Sequence, residues 1–242
     1  MVRDLLIRGM LAGIVAALIV TLLARAAAEP QVDRAIAYEE ARDARTHPHP
    51  GLAPAEAELV SRDTQKGWGL LTAVTLYGAA VGGIFALVFA LGYGRIGLLG
   101  PRSLSLLLAI GAFIAVALVP MLKYPPTPPA VGLHETVAFR TLAYFSMIAL
   151  SVVALVIAVK IGRAASAKLG AFNAMLVAAG SYVALVAAVQ LALPTINEVP
   201  ADFPPTVLWD FRIASLAIQA VLWLAIGIGF GWMADRRLRA GR

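Results

Sequence analysis

Glu39 and Asp43 stand four residues apart, with His47 one further turn along and His49 just beyond. On a helix this spacing would stack both carboxylates on one face and bring imidazole to its end. Imidazole and carboxylate together suit borderline divalent ions such as cobalt, nickel or zinc. The same stretch also reads as a solvated helix face, because Arg42 and Arg45 are interleaved and can pair with the acids at little net gain. Neither His-Pro-His nor a single acid pair matches a closed zinc-site spacing. Two proline-rich stretches carry a second group, His134 and Glu135 on one and Glu198, Asp202 and Asp210 on the other. The candidate metal ligands are therefore His47, His49, Glu39, Asp43, His134, Glu135 and Glu198. Lys123, Tyr124, Arg140, Asp202, Asp210 and Arg212 would line an outer vestibule if the helices they enter lie together. A structural reading stands beside this one. Glu135 and Asp210 would complement helix N-termini, and the arginines would snorkel to lipid headgroups.

The elements that must hold these residues follow from composition. The chain has 242 residues, 60% hydrophobic and 14% charged, against a globular norm of about 45–50% apolar and about 25% charged. The apolar residues come in long runs free of charge: 9–24, 67–94, 103–122, 141–159, 169–197 and 213–234. About 17–25 helical residues cross a bilayer's hydrocarbon. The expected fold is all-α, a polytopic transmembrane helical bundle of six spans forming one integral membrane domain. A water-soluble enzyme, a nucleic-acid partner and a disulfide scaffold are disfavoured together; there is no cysteine.

Charge distribution sets the expected sidedness. Lys and Arg number 20 and Asp and Glu 14. With six helices, the termini share a side with the second and fourth loops, which together hold 11 basic and 2 acidic residues. The other side holds 9 basic and 12 acidic. The positive-inside bias places both termini in the cytoplasm of a bacterial inner membrane and the acidic loops outside. Arg3 and Arg8 flank an apolar stretch ending in Ala26-Ala27-Ala28, which reads as a retained first span or as a secretory signal with a small-residue cleavage site. Arg25 and the length of the run favour retention; cleavage would leave five spans and every later loop on its side.

Pairing the spans in order gives three helical hairpins, whose outer connections begin at Pro30, Pro120 and Pro194. Within residues 29–66, an extracytoplasmic loop, a short helix is expected between Gln31 and Arg45. A second is expected to start near Pro54 and run through Val60 into the second span. No acid, His, Lys or Arg lies deep in the last five runs, whereas proton relays and coupled pumps usually need such groups. Polar residues there, among them Ser151, Asn173, Tyr182 and Gln190, would line a narrow path or bond helix to helix. Gly9 with Gly13, Gly78 with Gly82, and Gly227 with Gly231 are spaced for close helix packing. Gly92-Tyr93-Gly94-Arg95-Ile96-Gly97 fits the dinucleotide fingerprint, but no strand precedes it, so it reads as a turn.

Several stretches resemble one family. They include Leu59-Val60-Ser61-Arg62 and Val119-Pro120-Met121-Leu122-Lys123-Tyr124-Pro125-Pro126, followed by Pro128-Pro129-Ala130-Val131-Gly132. Arg140-Thr141, Leu193-Pro194, Asn197-Glu198-Val199-Pro200 and Leu208-Trp209 with Phe211-Arg212 continue the series. In that order they resemble the CbtA family, a proposed bacterial cobalt transporter subunit. The resemblance implies a non-enzymatic membrane protein with no cofactor, Co2+ as transported ion, a link to cobalamin supply and a small companion subunit, CbtB. It assigns no ligands. A non-transporting accessory or docking subunit of a transporter complex is the alternative.

Overall fold

The computed structural model describes residues 2–46, 60–97 and 99–239. Among these, all regular structure is helical. Five helices are long and apolar enough to cross a membrane: Val2–Arg45, Arg62–Gly92, Pro101–Lys123, His134–Ala192 and Pro205–Arg239. Large apolar side chains such as Leu22, Leu76, Ile84, Leu91 and Phe145 are exposed along them, as lipid-facing surfaces require. The chain is thus an all-helical protein with membrane-type helices.

It divides into two compact units. The first comprises Met1–Ile110, Thr127–Ala130 and Asp202–Arg242. Here α1 (Val2–Leu23), α4 (Leu70–Gly92) and α8 (Pro205–Arg239) pack together. Gly9 and Gly13 of α1 lie against Gly82 and Gly78 of α4 so closely that a Cβ on any of the four would overlap the opposite backbone. The expected small-residue packing is therefore backbone against backbone. Gly227 and Gly231 of α8 receive Ala109 and Ser105 of α5 (Pro101–Ala112), and Ser105 Oγ donates to the Gly227 carbonyl at 2.7 Å. Phe85 and Phe89 close on Phe230 edge to face.

Pro30 does not end the first helix, contrary to the expected break. Helix α1 passes through a π-helical turn, Ala24–Ala28, into α2 (Glu29–Thr46). Proline lacks an amide donor and its ring collides with the carbonyl four residues back. One wider turn just before it relieves that collision without stopping the helix. Pro120 repeats the device in the second unit, following the π turn Phe113–Leu118 and entering α6 (Val119–Lys123). Pro194 behaves as expected, since the helix before it stops at Ala192 and Leu193 is extended. The helix expected to run through Val60 is also corrected. Ser61 is extended and caps α3 (Arg62–Thr64), its Oγ accepting the Thr64 amide at 3.4 Å, so the helix leading to α4 begins at Arg62. The Gly92–Gly97 segment is a turn, with positive φ at Gly94 and Gly97.

The second unit, Gly111–Pro126 and Val131–Ala201, is dominated by α7 (Val137–Ala192). The fourth and fifth apolar runs, expected as separate helices, are two helices that follow one another directly and are divided at Gly170. There φ is 74° and ψ is 167°, a conformation open essentially to glycine. The two halves fold back on each other. Gly162 meets Ala174 and Ala178 near the turn, the Ser151 and Tyr182 hydroxyls pair at 2.9 Å, and Met147 shares a core with Val186 further along. On the first half the buried residues are Ala143, Met147, Ser151, Ala154, Ala158 and Gly162, a stripe at helical spacing whose side chains, Met147 apart, are small and let the halves approach.

Candidate functional site

Second-unit loops meet at the end of α7 opposite Gly170. Proline-rich chain before and after the hairpin cannot pair its backbone in helices, so side chains supply the partners. Glu198 does most of this. Its Oε2 accepts the Leu133 amide at 2.8 Å, lies 3.0 Å from the Thr136 hydroxyl and pairs with Arg140 Nε at 3.4 Å. Arg140 also donates through Nη2 to the Leu133 carbonyl at 3.1 Å. Its guanidinium occupies the space where a Cβ on Gly132 would stand, and φ at Gly132 is 111°. The Leu133 amide, then Thr136, then Arg140 hold the Glu198 carboxyl below its ordinary value. Nearby, the buried Tyr124 donates its hydroxyl to the Pro194 carbonyl at 2.8 Å. Tyr124, Gly132, Arg140, Pro194 and Glu198, scattered over the segments that carry the family resemblance, thus form one clasp.

In the first unit the end away from the chain termini is held by charges. Arg62 Nη2 donates to Glu29 Oε2 at 2.6 Å and to Asp33 Oδ1 at 3.3 Å, while Lys66 Nζ reaches both Asp33 oxygens at 3.1 Å. Gly67, at φ −91° and ψ −108°, interrupts the helix there, and Arg25 donates to the adjacent Lys66 carbonyl at 3.3 and 3.2 Å. Arg25, Glu29, Asp33, Lys66 and Gly67 border a cleft of about 370 Å³ with Asp63 on its wall. Sequence reasoning missed this lock. Its signal was two complementary i,i+4 pairs, Glu29 with Asp33 and Arg62 with Lys66. Further along α2, Tyr38 donates to Asp202 Oδ1 at 2.6 Å and its ring meets Phe203 edge to face. The Tyr38 hydrogen bond is the main cause holding the Asp202 carboxyl below its usual range.

The expected ligands stand as follows. Glu39 and Asp43 are exposed on α2; His47 and His49 lie outside the described residues. His134 and Glu135 are exposed on a single 3-10 turn. Lys123, Tyr124 and Arg140 belong to the second unit, and Asp202, Asp210 and Arg212 to the first. Among the described residues, no three His, Asp or Glu side chains are grouped to hold a metal ion. Gln190 Nε2 bonds one helix to another, donating to the Val119 carbonyl at 3.3 Å, whereas Asn173 Nδ2 donates to the Leu169 carbonyl four residues back at 3.0 Å.

A family model described as "Probable cobalt transporter subunit (CbtA)" matches residues 2–235. The chain belongs to the CbtA family. No curated protein and no solved structure gives a significant match. Membership makes this chain a probable cobalt transporter subunit, one part of a system with companion subunits. The CbtA match runs through both units, and so takes in the Glu198 clasp as well as the Arg62 lock.

Proposed function

We propose that this chain is the membrane-embedded subunit of a cobalt uptake system that gathers Co2+ outside the cell and passes it inward for cobalamin supply. The observation that carries the reading is the CbtA match over nearly the whole chain. The charge asymmetry supports the direction, since an acid-rich side facing outward raises the local concentration of cations. In this reading one integral membrane domain crosses the bacterial inner membrane six times, with both termini cytoplasmic and residues 29–66 outside. The two halves of α7 supply two of those crossings, and α1 is retained, as its interlock with α4 favours. The three-hairpin arrangement is part of the same reading, with proline-rich chain leading into both α7 and α8.

Co2+ would be held loosely by His47, His49, Glu39 and Asp43. His134, Glu135 and Glu198, with Lys123, Tyr124 and Arg140 of the same unit, would then receive it. A divalent ion moving inward gains roughly 4.6 kcal/mol per 100 mV of inside-negative potential, so passage needs no proton-coupling residue in the spans. Stripping its water would be costly among hydroxyls and amides; the ion keeps part of its shell or takes donors from a companion such as CbtB. The accessory reading has a specific observation behind it: the Glu198 carboxylate is already engaged by two hydrogen-bond donors and by the charge of Arg140.

Protein in lipid vesicles, loaded with a cobalt-sensitive dye and given an inside-negative potential, tests the proposal. Cobalt entry that rises with the potential and falls in the variant His47→Ala with His49→Ala is expected. No entry at any potential, with the companion subunit included, leaves the accessory role.

A further inference from the structure

At the other end of the first unit, arginines from α1, α5 and α8 collect around two acids, Asp4 and Asp235. Arg237 is held by Asp4, with Nη2 to Oδ2 at 3.1 Å. Asp235 is different because it is buried, 4% exposed. Its two oxygens face two arginines from different helices, Arg102 Nε at 2.8 Å from Oδ2 and Arg239 Nε at 3.1 Å from Oδ1. Oδ2 accepts no aligned hydrogen bond, so the Arg102 approach is a contact of charges rather than a fork-to-fork pair. Both contacts run through Nε, the inner nitrogen, and the two arginine side chains are 60% and 76% exposed. One buried carboxylate therefore holds two largely exposed guanidiniums from different helices.

The depth of this group is marked on α8 itself. Arg236 stacks 3.8 Å over the Trp232 ring, and an exposed indole is a side chain of the headgroup level. Ile228 and Leu224, one and two turns earlier, are exposed and apolar. At the other end of α8, exposed Trp209 stands 23 residues before Trp232, about 35 Å of helix at 1.5 Å per residue, close to one hydrocarbon thickness. The arginine pair thus sits at the edge of the lipid.

We infer that Arg102 and Arg239, oriented by Asp235, form a binding site for the phosphate of an anionic phospholipid headgroup. A guanidinium fork matches phosphate oxygens bidentately. Fixing both forks on one carboxylate removes part of the ordering cost of binding. The three side chains sum to a single positive charge, which complements a phosphodiester. This inference does not rest on cobalt passage.

Full-length protein in neutral detergent, titrated with phosphatidylglycerol and followed by native mass spectrometry, tests it. Asp235→Asn adds a positive charge, so a diffuse basic surface would bind the lipid more tightly. The site instead predicts binding weaker by about tenfold, the lower end for a charge-assisted hydrogen bond. Arg102→Lys with Arg239→Lys keeps the charge and loses the forks; it should weaken binding by a similar factor, so the test stands if Asp235→Asn fails to fold. Arg3→Gln, which removes a charge at the same end, should change affinity less than twofold on the same scale. Unchanged or tighter binding by Asp235→Asn or by the lysine pair overturns the inference. Inorganic phosphate that binds as tightly as the lipid, with the same dependence on these variants, overturns the assignment to a headgroup.

Discussion

Two helix pairs, one in each unit, solve the same problem by different means. Apolar contact gives helices no advantage over lipid chains inside a bilayer, so association depends on close packing and on hydrogen bonds between helices. The α1 and α4 pair uses the first device, with Gly9 and Gly13 set directly on the Gly82 and Gly78 backbone. The two halves of α7 use both. Gly162 approaches Ala174 and Ala178 near the turn, while the Ser151 and Tyr182 hydroxyls tie the pair farther along. The first interface tolerates no added atom, whereas the second distributes its stability over separable contacts.

The largest effect is expected at the glycine seam. Gly13→Leu drives a side chain into the Gly78 carbonyl and should destabilise the folded protein by about 3 kcal/mol, the upper end of overpacking costs. A thermal melt in detergent no lower than the parent's would show that α1 and α4 do not depend on this contact. In α7, Tyr182→Phe removes one hydroxyl and should cost only about 0.6 kcal/mol, an average interhelical hydrogen bond in a membrane protein. A loss as large as that of Gly13→Leu would erase the distinction between the two interfaces.

A subtler effect belongs to the clasp that closes the α7 hairpin. Because the native Glu198 carboxyl lies below its ordinary value, its ionised form adds stability above the unfolded value and loses it as pH falls through the native one. Glu198→Gln should therefore melt earlier than the parent at neutral pH, with the gap narrowing as pH drops below the ordinary carboxylate range of about 4. A gap of constant size at every pH would assign the loss to packing instead.

The helical class, the membrane character and the glycine contacts were legible because each rests on local pattern: apolar run length and four-residue spacing. The fate of the prolines was not. Whether a helix stops at proline or absorbs it in a π turn depends on whether packing holds the chain straight beyond it, and for Pro30 the continuation α2 is held by Tyr38 against Asp202 and Phe203. Between the runs 141–159 and 169–197 the charges of Lys160, Arg163 and Lys168 suggest a loop, yet they ride on helix up to a single residue of positive φ, Gly170. For the site, the sequence singled out Glu198 for its chemistry but could not show that Leu133, Thr136 and Arg140 already engage it. The Glu29 and Arg62 lock is non-local, and its two i,i+4 pairs acquire meaning only when placed opposite one another.

Everything proposed about cobalt depends on the acid-rich end facing out of the cell. The chain has no cysteine, so single replacements can be labelled without background. In intact spheroplasts, a membrane-impermeant maleimide should modify Glu39→Cys but reach Ala165→Cys, near the Gly170 turn, only after lysis. Labelling of Ala165→Cys in intact cells, with Glu39→Cys protected until lysis, would contradict the orientation and the inward route with it.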